Sequence, residues 1–305
     1  MHHTSNDTSN GTSRDTSRDY PLSYSSQALF TSCNRKYQLY KLLNYQPLMD
    51  RTDTVHTAFG TAVGAGVVIL LEDPENLSGA MHECFINYSG ELLWEHIYSK
   101  SLLTALQSIR DFQSTAREWH EMGYRIAEIE GRPATEVSFR INVEGMGHYV
   151  GYIDAIMYNS NTDSYRIIEV KTMQGEYDSD MWKNRTQDVG YLFVGKITGN
   201  YDATTCYPTY VCKKDEKRWS TPVYHRTEQD FKDFATGLYL TFKGIELCEE
   251  VGFFPRNGNC KAYSTLCPAF ADCNKEVKKV PSLYSPEKDW DIEVTINLRE
   301  GVDNA

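Results

Sequence analysis

Asp154, Glu169 and Lys171 lie within one stretch, GYIDAIMYNSNTDSYRIIEVKT, at residues 151–172. A polar turn at 159–164 separates two apolar-alternating runs there, the pattern of an antiparallel hairpin. If the turn closes symmetrically, Tyr158 faces Tyr165, Ile156 faces Ile167 and Asp154 faces Glu169. Opposed residues share a face, with Cβ atoms about 5 Å apart. Lys171, two residues beyond Glu169, joins that face, while Ile168 and Val170 point the other way into a core. A one-residue slip would break the arrangement, so it depends on the turn. Two juxtaposed carboxylates repel unless a proton or cation sits between them. Their hard oxygens suit Mg²⁺ or Mn²⁺, which keep waters and bind phosphate. Such an ion polarises a phosphate and acidifies a bound water, which Lys171 would orient. The tripeptide alone means little. Glu276-Val277-Lys278 repeats it and Asp215-Glu216-Lys217 is similar, both among other charges and expected to be solvated surface.

A second group of residues is built from thiols. Cys260, Cys267 and Cys273 form C-x6-C-x5-C in a loop-rich segment, and Cys33 sits on the opening helix. Four thiolates hold zinc or an iron–sulfur cluster; unligated buried thiols are the plain alternative. Cys84, Cys206, Cys212 and Cys248 fall in regular elements and are expected to pack.

The elements that must position these groups follow from periodicity. A helix begins near Ser23, a second spans about 56–72, and two amphipathic helices follow near 77–98 and 101–129. The pattern then becomes strands at about 137–143, 149–158 and 165–171. A helix follows at about 180–197, then strands near 205–212 and 218–225. Thr227 and Asp230 resemble a capping box opening a helix to about 248, and a last strand lies near 291–298. Helices flanking a mainly antiparallel sheet make an α/β or α+β core.

The first residues are a degenerate repeat (TSND, TSNG, TSRD, TSRD at 4–19) with no apolar anchor, expected to be a disordered tail over 1–20. A single domain over 21–280 and a C-terminal extension over 281–305 follow. The mean hydropathy of −0.53 and the short longest apolar run, 67–71, predict no membrane association. Without a secretory-type start, a reducing cytoplasm is expected, where eight cysteines suggest ligation over disulfides. The net charge of −11 argues mildly against nucleic acid, yet binding needs only one local basic groove. Candidates for such a track are Arg35, Lys36, Lys183, Arg185, Lys213, Lys214, Lys217 and Arg218. Trp182 and Trp219 are candidates for stacking on bases.

With these motifs in order, residues 21–275 resemble the PD-(D/E)XK nucleases of the RecB-like branch. Gly151-Tyr152-Ile153-Asp154 is similar to that branch's G-x-x-D and Glu169-Val170-Lys171 to its E-x-K. Gln187 and Tyr191 match its Q-x-x-x-Y, and SYSSQALFTSCNRKYQLY at 23–40 its opening helix. The resemblance implies a restriction-endonuclease-like α/β core, a mixed sheet flanked by helices with a cysteine-clamped C-terminal segment. It implies Mg²⁺- or Mn²⁺-dependent hydrolysis of DNA, with exonuclease action on single-stranded or frayed ends preferred. Asp154, Glu169 and the backbone carbonyl of Val170 would hold the metal; Lys171, Gln187 and Tyr191 would complete the catalytic set. Glu136 is a further acidic candidate. The family's early helix often carries Gly-Thr-x-x-His, but Gly64 stands at the histidine's place, and His56, one turn before Gly60, is a candidate substitute. Cys33, Cys260, Cys267 and Cys273 resemble the [4Fe-4S] set of AddB and CRISPR-adaptation nucleases, although the x6 gap exceeds the usual x2; zinc is the alternative. Without a G-x-x-x-x-G-K-[ST] motif, ATP-driven unwinding would need a helicase or recombination partner. The small format suggests a phage or mobile element. Two rivals remain, a non-catalytic DNA-binding or assembly module that kept the fold and a zinc-stabilised interaction protein.

Overall fold

A computed structural model describes residues 21–45, 51–88, 99–183, 185–197, 204–213, 217–258, 260–262, 265–278 and 289–298. The repeat tail falls outside them. Ser23 caps α1 (Tyr24–Ser32) in a capping box with Ser26. At Cys33 the backbone becomes extended, and the chain resumes as α2 (Asn34–Tyr37) and a π-helical turn, Gln38–Leu42. Then come α3 (Arg51–Glu72), α4 (Leu77–Asn87) and α5 (Leu102–Glu121). Of the helix expected to reach 98, residues 89–98 lie outside the description. The helix expected to run to 129 stops at Glu121, because Gly123 turns the backbone to φ 94°.

Strands follow: β1 (Tyr124–Ile126), β2 (Glu128–Ile129), β3 (Arg132–Pro133), β4 (Thr135–Val143), β5 (Gly147–Asn159), β6 (Ser164–Ile168) and β7 (Lys171–Met173). A 3-10 turn, Ser179–Trp182, precedes α6 (Gln187–Ile197), where one helix over 180–197 was expected. The reason is Arg226, whose guanidinium takes the carbonyls of Trp182, Lys183 and Arg185 that a continuous helix would use itself. Next are β8 (Thr204–Cys206), β9 (Thr209–Cys212), β10 (Lys217–Ser220) and β11 (Val223–Tyr224). Pro208 and Pro222 sit at the two breaks in what read as longer strands, each lacking the N–H a ladder needs. The Thr227–Asp230 capping box opens α7 (Glu228–Val251), which Gly252 closes at φ 69°. β12 (Lys261–Ala262), β13 (Thr265–Leu266) and β14 (Ile292–Ile296) complete the chain.

The main sheet runs β11-β8-β6-β5-β4-β14, with β1 beside β5. The β6–β8 and β4–β14 pairs are parallel and the others antiparallel. One apolar cluster joins the sheet to α1, α6 and α7 (Phe30, Leu192, Phe234, Leu238); a second joins it to α3, α4 and α5 (Phe59, Leu70, Cys84, Phe112). Helices therefore cover both faces of a mixed sheet. Val55–Glu72 is long and apolar enough to cross a membrane, with mean hydropathy 1.5, which the short run 67–71 did not suggest. In this fold it is a core helix: Phe59, Ala62, Val63, Val67, Leu70 and Leu71 are sealed in the second cluster.

Candidate active site

The β5–β6 hairpin pairs Tyr158 with Tyr165 and Ile156 with Ile167, and its ladder stops at Ala155–Ile168. Beyond it Glu169 turns to the neighbouring strand, donating its N–H to Cys206 O at 3.0 Å, while Lys171 N–H donates to Pro208 O at 2.8 Å. The N–H of Val170, between them, donates to Asp154 Oδ2 at 2.7 Å. The two carboxylates are thus brought together by a backbone-to-side-chain bond where a sheet rung would have come next.

Glu169 is only 4% exposed. Its Oε1 accepts from Lys171 Nζ and, at 2.8 Å, from Gln187 Nε2. Its Oε2 is buried and, among the described residues, accepts no hydrogen bond. Gln187 also accepts from Lys171 Nζ at 3.1 Å and donates to the Tyr191 hydroxyl at 2.7 Å. Gln187 opens α6 and Tyr191 stands four residues on, so one helix face presents both. Burial, reinforced by the charge of Asp154, pushes Glu169 up to about 8 against the pull of Lys171 and Gln187. Asp154 is raised too, by burial, against the Val170 N–H and Lys171. Such a buried pair retains a proton until a cation takes its place. The orphaned Oε2 and the mutual strain of the two acids fit a hard divalent cation.

Glu136 lies on β4 between the Thr135–Ala155 and Val137–Ile153 rungs, at φ 50°. Burial and Asp154 raise its carboxyl. His56 is exposed on α3 and does not line the cleft over Glu169. A Cβ at Gly64 would meet nothing within 4 Å. Among the described residues no three His, Cys, Asp or Glu side chains are close enough to share one metal ion. The carboxylates, Gln187 and Tyr191 line a cleft of about 740 Å³ together with Tyr24, Tyr40, Tyr152 and Trp290. A buried two-pronged ion pair stands behind it. Arg226 meets Asp188 at 2.8 and 3.0 Å, the side chains 5% and 0% exposed. It anchors the first turn of α6 and hence Gln187. No sequence pattern linked residues 188 and 226.

The family model of the PD-(D/E)XK nuclease superfamily matches residues 21–273. The chain belongs to that superfamily. Among solved structures, this nuclease is similar to one labelled "Putative exonuclease" from Eubacterium rectale. The identity is 12% over 93% of this chain and 97% of that one, with a TM-score of 0.46. It is also similar to SSO0001, 16% identical over 60% of this chain and 74% of that one, with a TM-score of 0.26. No curated protein matches.

In this nuclease Cys33, Cys260, Cys267 and Cys273 line one small cavity, with Lys36 and Arg256. The x6 gap is spanned by the β12–β13 hairpin, where Lys261 pairs with Leu266 and Cys267 N–H donates to Cys260 O at 2.8 Å. Among the described residues, no three of these thiols are close enough to share one metal ion. Arg35 ties the same segments together, donating to Cys273 O at 3.1 Å and Lys275 O at 2.9 Å. Cys84, Cys206 and Cys212 are buried in the second core cluster, as expected of packing residues.

The residues expected to form a basic track mostly have contacts within the chain. Arg35 is committed to the cysteine segment, Lys36 lies over the Tyr40 ring and Arg185 over Trp182. Lys183 is exposed, Lys213 pairs with Glu176, Lys217 meets Thr104, and Arg218 lies over Tyr177; Lys214 lies outside the described residues. Trp182 is buried against Tyr207, and Trp219 donates to Ser108 O while packing on Phe112. Trp182 thus has its ring inside the core, while Trp219 is half-buried. The rings at the cleft are others.

Proposed function

We propose that this chain hydrolyses DNA phosphodiester bonds with Mg²⁺ or Mn²⁺, as an exonuclease on single-stranded or frayed ends, and belongs to the RecB-like branch. The observation that carries the reading is Glu169 Oε2, buried without a partner beside Asp154 at the floor of an open cleft. A cation held by Asp154, Glu169 and the Val170 carbonyl would polarise the phosphate and acidify a water. Val170 N–H holds Asp154 in place, and Gln187 ties Glu169 to Tyr191. Lys171 offers its ammonium to Glu169 and supplies the positive charge that meets a phosphate or orients a water. The four cysteines, around one cavity, suit a [4Fe-4S] cluster with a structural role; zinc is the alternative. A helicase or recombination partner would supply unwinding.

The test is incubation of pure protein with end-labelled single- and double-stranded DNA, in Mg²⁺, Mn²⁺ or EDTA, beside Glu169→Ala. Metal-dependent loss of label that Glu169→Ala abolishes supports the reading. Equal cutting by Glu169→Ala overturns the site. Gly64, where the family's histidine is missing, favours a second reading: a module that binds DNA without cutting it. Binding with no hydrolysis in any metal would select that one.

A further inference from the structure

The cleft over Glu169 is walled by rings. Tyr152 precedes Asp154 by two residues on β5, roughly 7 Å of strand, and is 45% exposed. Trp290 stands beside it, the ring centroids 6.3 Å apart and the planes tilted by 45°. Tyr24, at the start of α1, and Tyr40, on the π-helical turn, line the same space. Lys41 is the one cation among the described lining residues. Such a wall is poor in the Lys and Arg contacts through which a duplex backbone is held. It is rich in the surfaces on which unpaired bases stack whatever their sequence. Size agrees: about 740 Å³ is the scale of a drug-sized ligand, on the order of two nucleotides, and too small for a double helix.

Trp290 comes to this place from the far end of the chain. Its neighbour Asp291 accepts from Ser138 N–H and Oγ, both at 2.8 Å, and from Arg132 at 3.0 Å. β14 then runs parallel to β4, from Ile292 beside Phe139 to Ile296 beside Val143. The C-terminal strand is thus a strap, and its charged latch sets an indole at the mouth of the cleft.

Resting on the nuclease reading, we propose that Tyr152 and Trp290 form a base-stacking clamp that admits a single strand and measures its end against the carboxylates. A base seated there leaves its adjoining phosphate one same-face strand spacing away, at Asp154 and Glu169. A paired end must give up its own stacking first, so frayed and unpaired ends enter and blunt duplex does not.

The test is binding by the full chain in EDTA, where no hydrolysis consumes the probe. The probes are a labelled deoxythymidine strand of about 12 nucleotides, the same strand with abasic sites, and the blunt duplex. Wild type is expected to bind the strand at least about tenfold more tightly than the duplex. Tyr152→Ala and Trp290→Ala should each weaken strand binding by about tenfold, while Trp290→Phe keeps most of it. Wild type should bind the abasic strand weakly, and Tyr152→Ala should lose little more on it, since the ring has no base to meet. Equal losses on abasic and normal strands mark general damage and overturn the clamp. Unchanged binding by both alanine variants, or tighter binding of duplex, overturns it as well. Should Trp290→Ala not fold, the exposed Tyr152 decides alone. The two readings fail separately. Wild type that cuts nothing in Mn²⁺ ends the nuclease reading and leaves these binding ratios measurable; cutting with unchanged ratios ends only the clamp.

Discussion

Glu169 gives one oxygen to Lys171 and Gln187 and holds the other in the interior with nothing to accept. Leaving a buried charged acceptor unpaired costs several kcal/mol, on the order of 1–3 or more, which metal or proton binding relieves. Replacing the acid by its neutral isostere should therefore separate chemistry from folding. We predict that Glu169→Gln abolishes hydrolysis yet does not lower the Tm of the metal-free protein, by calorimetry in EDTA. A large drop in Tm would mean the carboxylate is a structural partner. Gln187 touches both Glu169 and Tyr191, and acts by orienting them. Partners one shell out from a metal ligand are worth about ten- to a hundredfold in metal affinity or activity. Gln187→Ala should lose that much in initial rate, partly restored by raising Mn²⁺; wild-type rates at low metal would refute the role.

At the scale of elements, the site depends on how closely β4, β5 and α6 approach. A Cβ at Gly151 would fall 2.5 Å from Phe139 Cζ and 3.2 Å from Tyr191 Cε1, and one at Gly190 2.9 Å from the Tyr149 hydroxyl. These glycines let the strand and the helix close on each other. Gly151→Ala should cost about 1–3 kcal/mol of stability by overpacking, with a further loss of activity as Tyr191 is pushed aside. Chemical denaturation beside a rate assay would show it. A second element prediction concerns the strap. The Ser138 N–H, against partial desolvation, holds Asp291 below its ordinary carboxylate range, helped by Ser138 Oγ and Arg132. A depressed folded-state pKa contributes stability that is present above the ordinary value and lost as pH falls below it. The latch should therefore loosen below about pH 4, seen as a change in indole fluorescence that Trp290→Phe removes. Asp291→Asn should show the loosened state at neutral pH. An acid-insensitive indole signal in wild type would refute the latch.

Over the whole molecule, the opening helix and the C-terminal loops meet around the four cysteines, residues about 230 apart in sequence. A metal closing so long a loop removes much denatured-state entropy, and its binding energy becomes folding energy. Protein purified without oxygen should be brown, with about four irons per chain, and Cys33→Ser should be colourless and less soluble. Stoichiometric zinc without iron would sink the iron–sulfur cluster but keep a metal tie among the four cysteines; no metal at all would sink both. Arg35 and its carbonyl partners, Cys273 and Lys275, should still hold the segments loosely together in Cys33→Ser.

What the sequence by itself determined is local. The turn at 159–164 sets the register of Tyr158 with Tyr165 and Ile156 with Ile167 because side-chain alternation in strands admits no slip once one face is buried. Thr227 and Asp230 open α7 because a cap acts over three residues. Gln187 and Tyr191 share a face because a helix repeats every 3.6 residues. Only the tertiary structure decided the rest, where residues far apart in the chain meet. Arg226 breaks the expected helix at 180–197 by taking its carbonyls, although nothing near 180 announces it. The hairpin between Cys260 and Cys267 makes an overlong gap short. Trp182 is buried and Trp219 is half-buried against the second core cluster, while Trp290, also half-buried, is carried to the cleft by β14. Exposure of a ring is set by which surfaces pack over it, and that is a property of the assembled layers and not of any spacing along the chain.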